Sequence, residues 1–214
     1  IVKGRKTREA EVSEAFRTAL DSLLPEKVKY SVVDLTNSTV SNVETHLMDG
    51  RQNIVIYVSS DEPIVNSGLS FLNKSCPKNT IVLGLPTWMN FESVDFNAME
   101  NIHIAFMDNN FINQNNPERI RYRKRFVGVY FDDPMSSGYS GFDLIRYLVV
   151  RLSDNPDKSW NDVIAVRDQK SNGTFSFKRM NRGGFENNNI SISVMEDMKL
   201  IPIEDLGKAQ DLRP

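Results

Sequence analysis

One continuous stretch decides the fold: NIVIYVSSDEPIVNSGLSFLNKSCPKNTIVLGL, residues 53–85. It opens with a short run of Val, Ile and Tyr over residues 53–58, which is typical of a strand buried on both faces. Residues 62–73 then carry apolar side chains at helical spacing, with Pro63 suited to the first turn. A second apolar run covers residues 80–85. The stretch therefore predicts a strand, a helix and a second strand parallel to the first.

The same alternation continues on both sides of this stretch. Further strands are predicted at residues 29–35 and 102–106, and further helices at residues 7–24 and 38–48. The chain begins with Ile1-Val2, which looks like the end of a strand, so we expect the natural product to be longer. The series predicts an α/β fold: a doubly wound, mostly parallel open sheet with helices on both faces.

The pattern changes after Asp108. Helices are predicted at residues 117–130 and 138–152, and a short helical element at Trp160 and Val163. From Thr174 the apolar period shifts to two, which predicts a small antiparallel C-terminal element. Its strands are expected at residues 175–179, 190–195 and 199–203. We expect residues 1–203 to form a single α/β lobe and residues 204–214 to form a polar tail.

Composition excludes several classes of protein. The chain has 28 acidic and 26 basic residues and a formal net charge of -2, so no general field attracts nucleic acid. No apolar run approaches the roughly 18 residues that a membrane span needs. A single cysteine, Cys76, excludes an intramolecular disulfide, and two histidines, His46 and His103, argue against a metal site.

Catalytic signatures are also missing from the sequence. It contains no G-x-S-x-G elbow, and neither of the glycine-rich loops that hold mononucleotides and dinucleotides. We therefore expect a protein that is not an enzyme, with no catalytic residues, no metal and no cofactor. A doubly wound transferase or hydrolase is the enzymatic alternative, since a fold alone does not decide function.

Candidate binding residues follow the predicted strands, because ligands of open α/β sheets bind outside the carboxyl ends of the strands. The turns lie at residues 4–7, 36–38, 59–61 and 86–88. Their hydroxyls and helix N-termini are suited to a small anion or a zwitterion. Two alternatives stay open: Ser59 either contacts a ligand or is a strand-end polar residue, and Trp88 either forms a stacking wall or seals the core.

The order of elements resembles the C-terminal lobe of type I periplasmic binding proteins, the branched-chain amino-acid receptor type. In that family an opening strand precedes a long helix with a central Phe, here Ile1-Val2 and Phe16. Other matching segments are the strand, short helix and strand of residues 30–61, the loop Gly84–Trp88, the run from Arg125 through Pro134 to Asp143, and the end segment of Phe175 and Gly183–Asn187.

This resemblance implies a non-enzymatic ligand-binding lobe of a bacterial cell-envelope protein, either periplasmic or a lipoprotein. Its ligand is expected to be an amino acid or a peptide-like molecule. The contacts that the resemblance implies come from Arg5, Thr7, Ser59, Ser60, Thr87 and Trp88. The family's acidic residue for a ligand amino group is expected near Thr87, and this chain has none there.

A second implication concerns the lobe that the family has and this sequence lacks. The helix at residues 138–152 would pack on that lobe, so the helical segment 113–155 is expected to belong to it. The alternative function is an envelope or peptidoglycan-associated interaction or scaffold domain that has kept the fold but not the ligand. Its partner would be peptidoglycan or an envelope protein. Separately from either function, helices 117–152 are the expected surface of a homodimer.

Overall fold

The computed structural model describes residues 1–23, 29–76, 79–108, 116–164, 175–181 and 183–205. The chain divides into two compact units. The first contains residues 1–107 and the C-terminal part from residue 192, and the second contains residues 108–191. The sequence suggested a single lobe over residues 1–203 with a helical segment set apart at 113–155. The second unit begins at residue 108, a few residues before that segment, and ends at residue 191, well after it.

The first unit is built on a seven-stranded sheet with the order β2-β1-β3-β4-β5-β8-β9. Neighbouring strands among β1 to β5 run parallel, and β8 and β9 form an antiparallel pair. The strands of both units, in chain order, are β1 (Val2–Lys3), β2 (Val33–Asp34), β3 (Asn53–Val58), β4 (Thr80–Gly84), β5 (Ile104–Asp108), β6 (Phe177–Arg179), β7 (Phe185–Asn187), β8 (Ser191–Glu196) and β9 (Lys199–Pro202).

In chain order the helices are α1 (Thr7–Leu23), α2 (Glu62–Ser75), α3 (Phe96–Asn101), α4 (Pro117–Tyr130), α5 (Ser136–Asp154) and α6 (Trp160–Ile164). Helices α1, α2 and α3 connect parallel strands of the sheet, and α4, α5 and α6 follow β5 in the second unit. Three short 3₁₀ helices cover Val40–His46, Pro86–Asn90 and Ile203–Asp205. The mostly parallel α/β architecture that the sequence predicts is confirmed.

The strand order makes the sheet doubly wound. The chain moves from β1 to β2 in one direction across the sheet and from β3 to β4 to β5 in the other. Right-handed crossovers then put α1 on one face and α2 on the opposite face. The 3₁₀ helix Val40–His46 and α3 both contact α2, so they share its face.

The main core lies between the sheet and the helix α2 that covers one of its faces. Helix α2 contributes Val65, Leu69 and Leu72, none of which has exposed surface. Asp61 caps α2 by accepting a hydrogen bond from the Ile64 N–H (3.2 Å), and Pro63 occupies its first turn as predicted. The helical spacing of the apolar residues in 62–73 thus explains both the helix and the surface that it buries.

Three predicted elements differ from the structure. The helix expected at residues 38–48 is a 3₁₀ helix over Val40–His46. The strand expected at residues 29–35 pairs only at Val33–Asp34, since its neighbour β1 itself offers only two residues. His103 does not lie in a buried strand: it is exposed, with φ of 48°, in the turn before β5 begins at Ile104.

The second unit combines α4, α5 and α6 with an antiparallel hairpin of β6 and β7. The hairpin turn contains Gly183 and Gly184, both at positive φ (88° and 84°), a conformation that glycine adopts without steric cost. Tyr147 of α5 packs its ring against Phe175 (5.2 Å between centroids) and Phe177 (5.6 Å). This aromatic cluster attaches the hairpin to the helices.

Candidate functional site

The sheet reverses its direction of winding between β1 and β3. Val2 pairs with Tyr57 and Lys3 with Val58, so the two strands end side by side. The turns that follow them, residues 4–7 and 59–61, therefore share one edge of the sheet. In doubly wound folds this reversal point is where ligands bind.

Glu9 ties the two turns together at this edge. Its side chain is only 4% exposed. One carboxylate oxygen accepts hydrogen bonds from the N–H (2.6 Å) and the hydroxyl (2.8 Å) of Ser60, and the other accepts from the N–H of Lys6 (2.9 Å). The Lys6 carbonyl accepts in return from the Glu9 N–H (3.0 Å). Glu9 is thus both the N3 residue that satisfies a free donor at the start of α1 and a bridge from β1 to β3.

Electrostatics favour the ionised form of Glu9. Burial alone would raise the pKa of this carboxyl group. The hydrogen bonds from Lys6 and Ser60, with the positive charge of Lys6, outweigh burial and lower the pKa from its usual 4.5. Gly4 leaves room for the carboxylate, since a Cβ at this position would collide with Glu9 and with the Val58 carbonyl. The edge is therefore a fixed, charged structure.

Arg5 and Thr7 are exposed at the same edge. The Nε of Arg5 donates to the Leu35 carbonyl (2.8 Å), which anchors the guanidinium beside the end of β2. Lys6 reaches across to the β3 turn, where its Nζ donates to the carbonyl (3.2 Å) and the hydroxyl (3.0 Å) of Ser60. Arg5, Thr7 and Ser60 are thus brought together by the reversal of the sheet.

Ser59 and Trp88 lie inside the protein. Both side chains have no exposed surface. The indole N–H of Trp88 donates to the Ser59 carbonyl (2.6 Å), and its ring packs edge-on against Tyr57 (5.3 Å between centroids) and Phe106 (6.2 Å). No face of the indole is open to a ligand in this structure. This geometry corresponds to the alternative in which Trp88 seals the core.

Thr87 stands apart from the other candidates. It is exposed in the 3₁₀ helix Pro86–Asn90, which follows β4, one strand further from the reversal point. Gly84 allows this chain segment to close over the core, because a Cβ there would lie 2.6 Å from the Trp88 ring. Thr87 therefore belongs to the same edge of the sheet but not to the cluster around Ser60.

Two participants were missed from the sequence, namely Glu9 and Lys6. Glu9 lies within the predicted helix at residues 7–24 and is not among the candidate contacts. The available signal is the spacing Lys6-x-x-Glu9 at the start of α1, which matches that of a capping box. Its usual first residue is Ser or Thr, and here the Lys6 backbone takes that place, so the motif is hard to detect.

Metal-binding groups do not cluster in the described part of the chain. Within it, no group of three or more His, Cys, Asp or Glu side chains is arranged to hold a metal ion. The Cys76 thiol is half-buried, and burial raises its pKa, which disfavours the reactive thiolate. Among the described helices, none combines the length and apolarity required to cross a bilayer.

Comparisons with solved structures agree with this fold. An ABC transporter substrate-binding protein from Desulfitobacterium hafniense, solved in complex with Leu, matches 94% of the chain with a TM-score of 0.54 at 12% identity. Proteins described as branched-chain amino acid ABC transporter components, from Rhodospirillum rubrum (12% identity) and Burkholderia xenovorans (10%), match the same share with TM-scores of 0.55.

The chain has the fold of a type I periplasmic binding protein. The predicted resemblance is thereby confirmed at the level of fold, since identities this low carry nothing further. The chain spans 59%, 59% and 56% of the lengths of these three proteins. No protein-family model matches the sequence, and no curated relative does.

Proposed function

We propose that this chain is a non-enzymatic, ligand-binding lobe of a type I solute-binding protein. One observation carries the proposal: the sheet reverses between β1 and β3, and the exposed side chains of Arg5 and Thr7 and the half-buried Ser60 lie at that edge. The low pKa of Glu9 and its hydrogen bonds keep this edge preorganised, which reduces the entropic cost of binding. The bacterial cell envelope, as a periplasmic protein or a lipoprotein, is the proposed location.

The charges at the edge suit a small zwitterion such as an amino acid or a short peptide. Arg5 uses Nε for the Leu35 carbonyl, and its terminal nitrogens are the proposed partners of a ligand carboxylate. The N-terminal end of α1 adds a favourable positive potential for that carboxylate. Asp61, half-buried at the end of β3, is the proposed partner of the ligand's ammonium group.

The structure supports a ligand that lies over the edge and not between the strands. Glu9 and Lys6 already fill the space between the β1 and β3 turns. Ser59 and Trp88 are buried, so neither side chain can reach a ligand at the surface. Of the six residues predicted from the sequence, we therefore retain Arg5, Thr7, Ser60 and Thr87 as proposed contacts.

Calorimetric titration with the common amino acids and a panel of dipeptides tests the proposal. We expect saturable heat with one class of ligand, lost in Arg5→Ala. Arg8→Ala is the matched control, since Arg8 is an exposed arginine in the first turn of the same helix. Circular dichroism establishes that both variants fold. Equal binding by wild type and Arg5→Ala would reject the assigned edge.

The second candidate function is an interaction or scaffold domain of the envelope, with peptidoglycan or an envelope protein as its partner. The burial of Trp88 and Ser59 favours it, because two of the six predicted ligand contacts are absent from the surface. In either function the helical segment 113–155 is the proposed contact with another lobe, and helices 117–152 are the proposed surface of a homodimer. Heat with no member of the panel, together with retention on purified peptidoglycan, would support this function over the first.

A further inference from the structure

The second unit contains a cleft that the proposed function does not use. It measures about 450 Å³, within the usual range for small-molecule sites. Helix α4, the turn that follows it and the first turns of α5 form its walls. The lining residues are Arg119, Ile120, Arg123, Lys124, Asp133, Pro134 and Tyr139.

The floor of the cleft is a fixed ion pair. Arg119 is 4% exposed, and its Nε donates to Asp143 Oδ2 (2.7 Å), which also accepts from Nη2 of the same guanidinium. A buried arginine without this carboxylate would be strongly destabilising. Asp143 therefore neutralises Arg119, and this pair is not available for exchange.

The rim of the cleft carries a second pair that is exposed. Arg123 donates from Nε to one oxygen of Asp133 (2.6 Å) and from Nη2 to the other (2.8 Å). Both side chains are more than half exposed. Exposed pairs of this kind contribute about 0–1 kcal/mol, so another anion can replace Asp133 on the arginine fork at little cost.

Lys124 supplies the remaining charge. Its side chain is exposed beside Arg123, and none of the ion pairs and hydrogen bonds of the described residues includes it. The cleft therefore has one uncompensated positive charge. A ligand that displaces Asp133 from the arginine fork contacts a second cation, Arg123, while Asp133 stays in the lining and competes with it.

Aromatic packing holds the α5 wall of the cleft in shape. Tyr139 of α5 contacts Tyr122 of α4 edge-on (5.8 Å between centroids), and Tyr122 stacks on Phe142 (4.4 Å). The cleft is therefore braced across both helices, and a ligand would find a preformed site with a phenol in its wall.

We propose that this cleft binds a phosphate-bearing small molecule, held between Arg123 and Lys124. The dianionic charge of a phosphate monoester matches the two cations, and its oxygens match the arginine fork. The same chemistry occurs in free organic phosphates and in lipid headgroups. The inference is independent of the proposed function, because all of these residues lie in the second unit.

Isothermal titration of the whole chain with glycerol 3-phosphate, at constant ionic strength, tests the cleft. We expect 1:1 binding whose Kd rises about 10-fold in Lys124→Gln, which corresponds to about 1.4 kcal/mol. Arg121→Gln is the control: it removes a charge from the same helix but lies outside the cleft and pairs with Glu118. We expect it to change Kd less than 2-fold, because an exposed charge outside the cleft acts on the ligand only through screened, longer-range electrostatics.

The Asp133→Asn variant should change the Kd for glycerol 3-phosphate in the opposite direction. It removes the carboxylate that competes for Arg123, so we expect the Kd for glycerol 3-phosphate to fall about 3-fold or more.

Vesicles of phosphatidylglycerol in phosphatidylcholine form the second arm of the experiment. Binding to vesicles alone, lost in Lys124→Gln and kept in Arg121→Gln, would support the same site with a lipid phosphate. No saturable binding in either arm, or equal loss in Lys124→Gln and Arg121→Gln, would overturn the proposal.

Discussion

Replacing Glu9 by Gln tests the bridge between the ends of β1 and β3. The buried carboxylate accepts three hydrogen bonds, two from Ser60 and one from Lys6. A carboxamide has one acceptor oxygen, so its NH₂ group must face an N–H donor that Glu9 now satisfies. Hydrogen bonds to a charged group contribute about 1.5–3 kcal/mol each, and a buried donor without a partner costs about 1–3 kcal/mol. We expect Glu9→Gln to lower the free energy of unfolding by about 2–4 kcal/mol at pH 7.

Urea denaturation of wild type and variant at pH 7 and again at pH 3.5 would be the assay. The folded-state pKa of Glu9 lies below its usual value of 4.5. Its contribution is therefore complete above the unfolded-state pKa and is lost as the pH falls through the folded-state pKa. The difference between wild type and Glu9→Gln should shrink at the lower pH. Glu11→Gln, an exposed change in the same helix, is the control. A loss at pH 7 no larger than that of Glu11→Gln would refute the reasoning.

Three further predictions concern single positions. Trp88→Ala should lower the free energy of unfolding by about 3–5 kcal/mol in urea denaturation, since it empties a fully buried site, whereas Trp160→Ala at a half-exposed site should cost far less; equal losses would contradict the core assignment. Phe131→Gly should raise the melting temperature, because Phe131 is 90% exposed at a left-handed φ of 57° and glycine removes about 1 kcal/mol of backbone strain at such a position. Tyr130→Gly, one residue earlier within α4, should lower the melting temperature. The pKa of Asp34 should be about 2 by NMR titration, because the Lys3 ammonium and the Thr36 N–H stabilise its ionised form. The stability that Asp34 contributes is therefore complete above its unfolded-state pKa and is lost as the pH falls towards 2. Lys3→Met should bring this pKa back towards 3.8.

The sequence predicted the fold well where an element supplies its own signal. The stretch 53–85 contains strands whose apolar runs match β3 and β4 and a helix that matches α2 within two residues. Helix α4 was predicted with the bounds that it has, Pro117–Tyr130. These segments combine a clear period with caps or prolines at their ends, so local chemistry decides them.

Strands whose extent depends on pairing with a neighbouring strand were predicted poorly. The run at residues 29–35 has strand propensity throughout, but a strand extends only as far as its neighbour, and β1 has two residues. Strand β7 was missed because Phe185–Asn187 is too short and polar to signal itself and forms only against β6. His103 was misassigned because a positive φ has no reliable signature in a residue other than glycine.

The candidate site shows the same division. The resemblance proposed Arg5, Thr7 and Ser60 as contacts, and the sheet topology brings the turns that contain them to one edge. The sequence could not decide whether Trp88 forms a wall of the ligand site or belongs to the core, because the burial of its ring depends on packing against Tyr57 and Phe106. It also missed Glu9, whose role depends on a hydrogen bond to a residue 51 positions away.

Mapping of backbone amide shifts is the most direct test of the central claim, that the edge between β1 and β3 binds a small ligand. ¹H–¹⁵N spectra would be recorded during titration with the amino acid or dipeptide that gives the largest calorimetric heat. The account predicts saturable shifts concentrated at residues 5–7 and 60–61, with the amides of α2 beyond its first turn unchanged. Shifts concentrated away from both turns, or no saturable shift with any ligand of the panel, would contradict it.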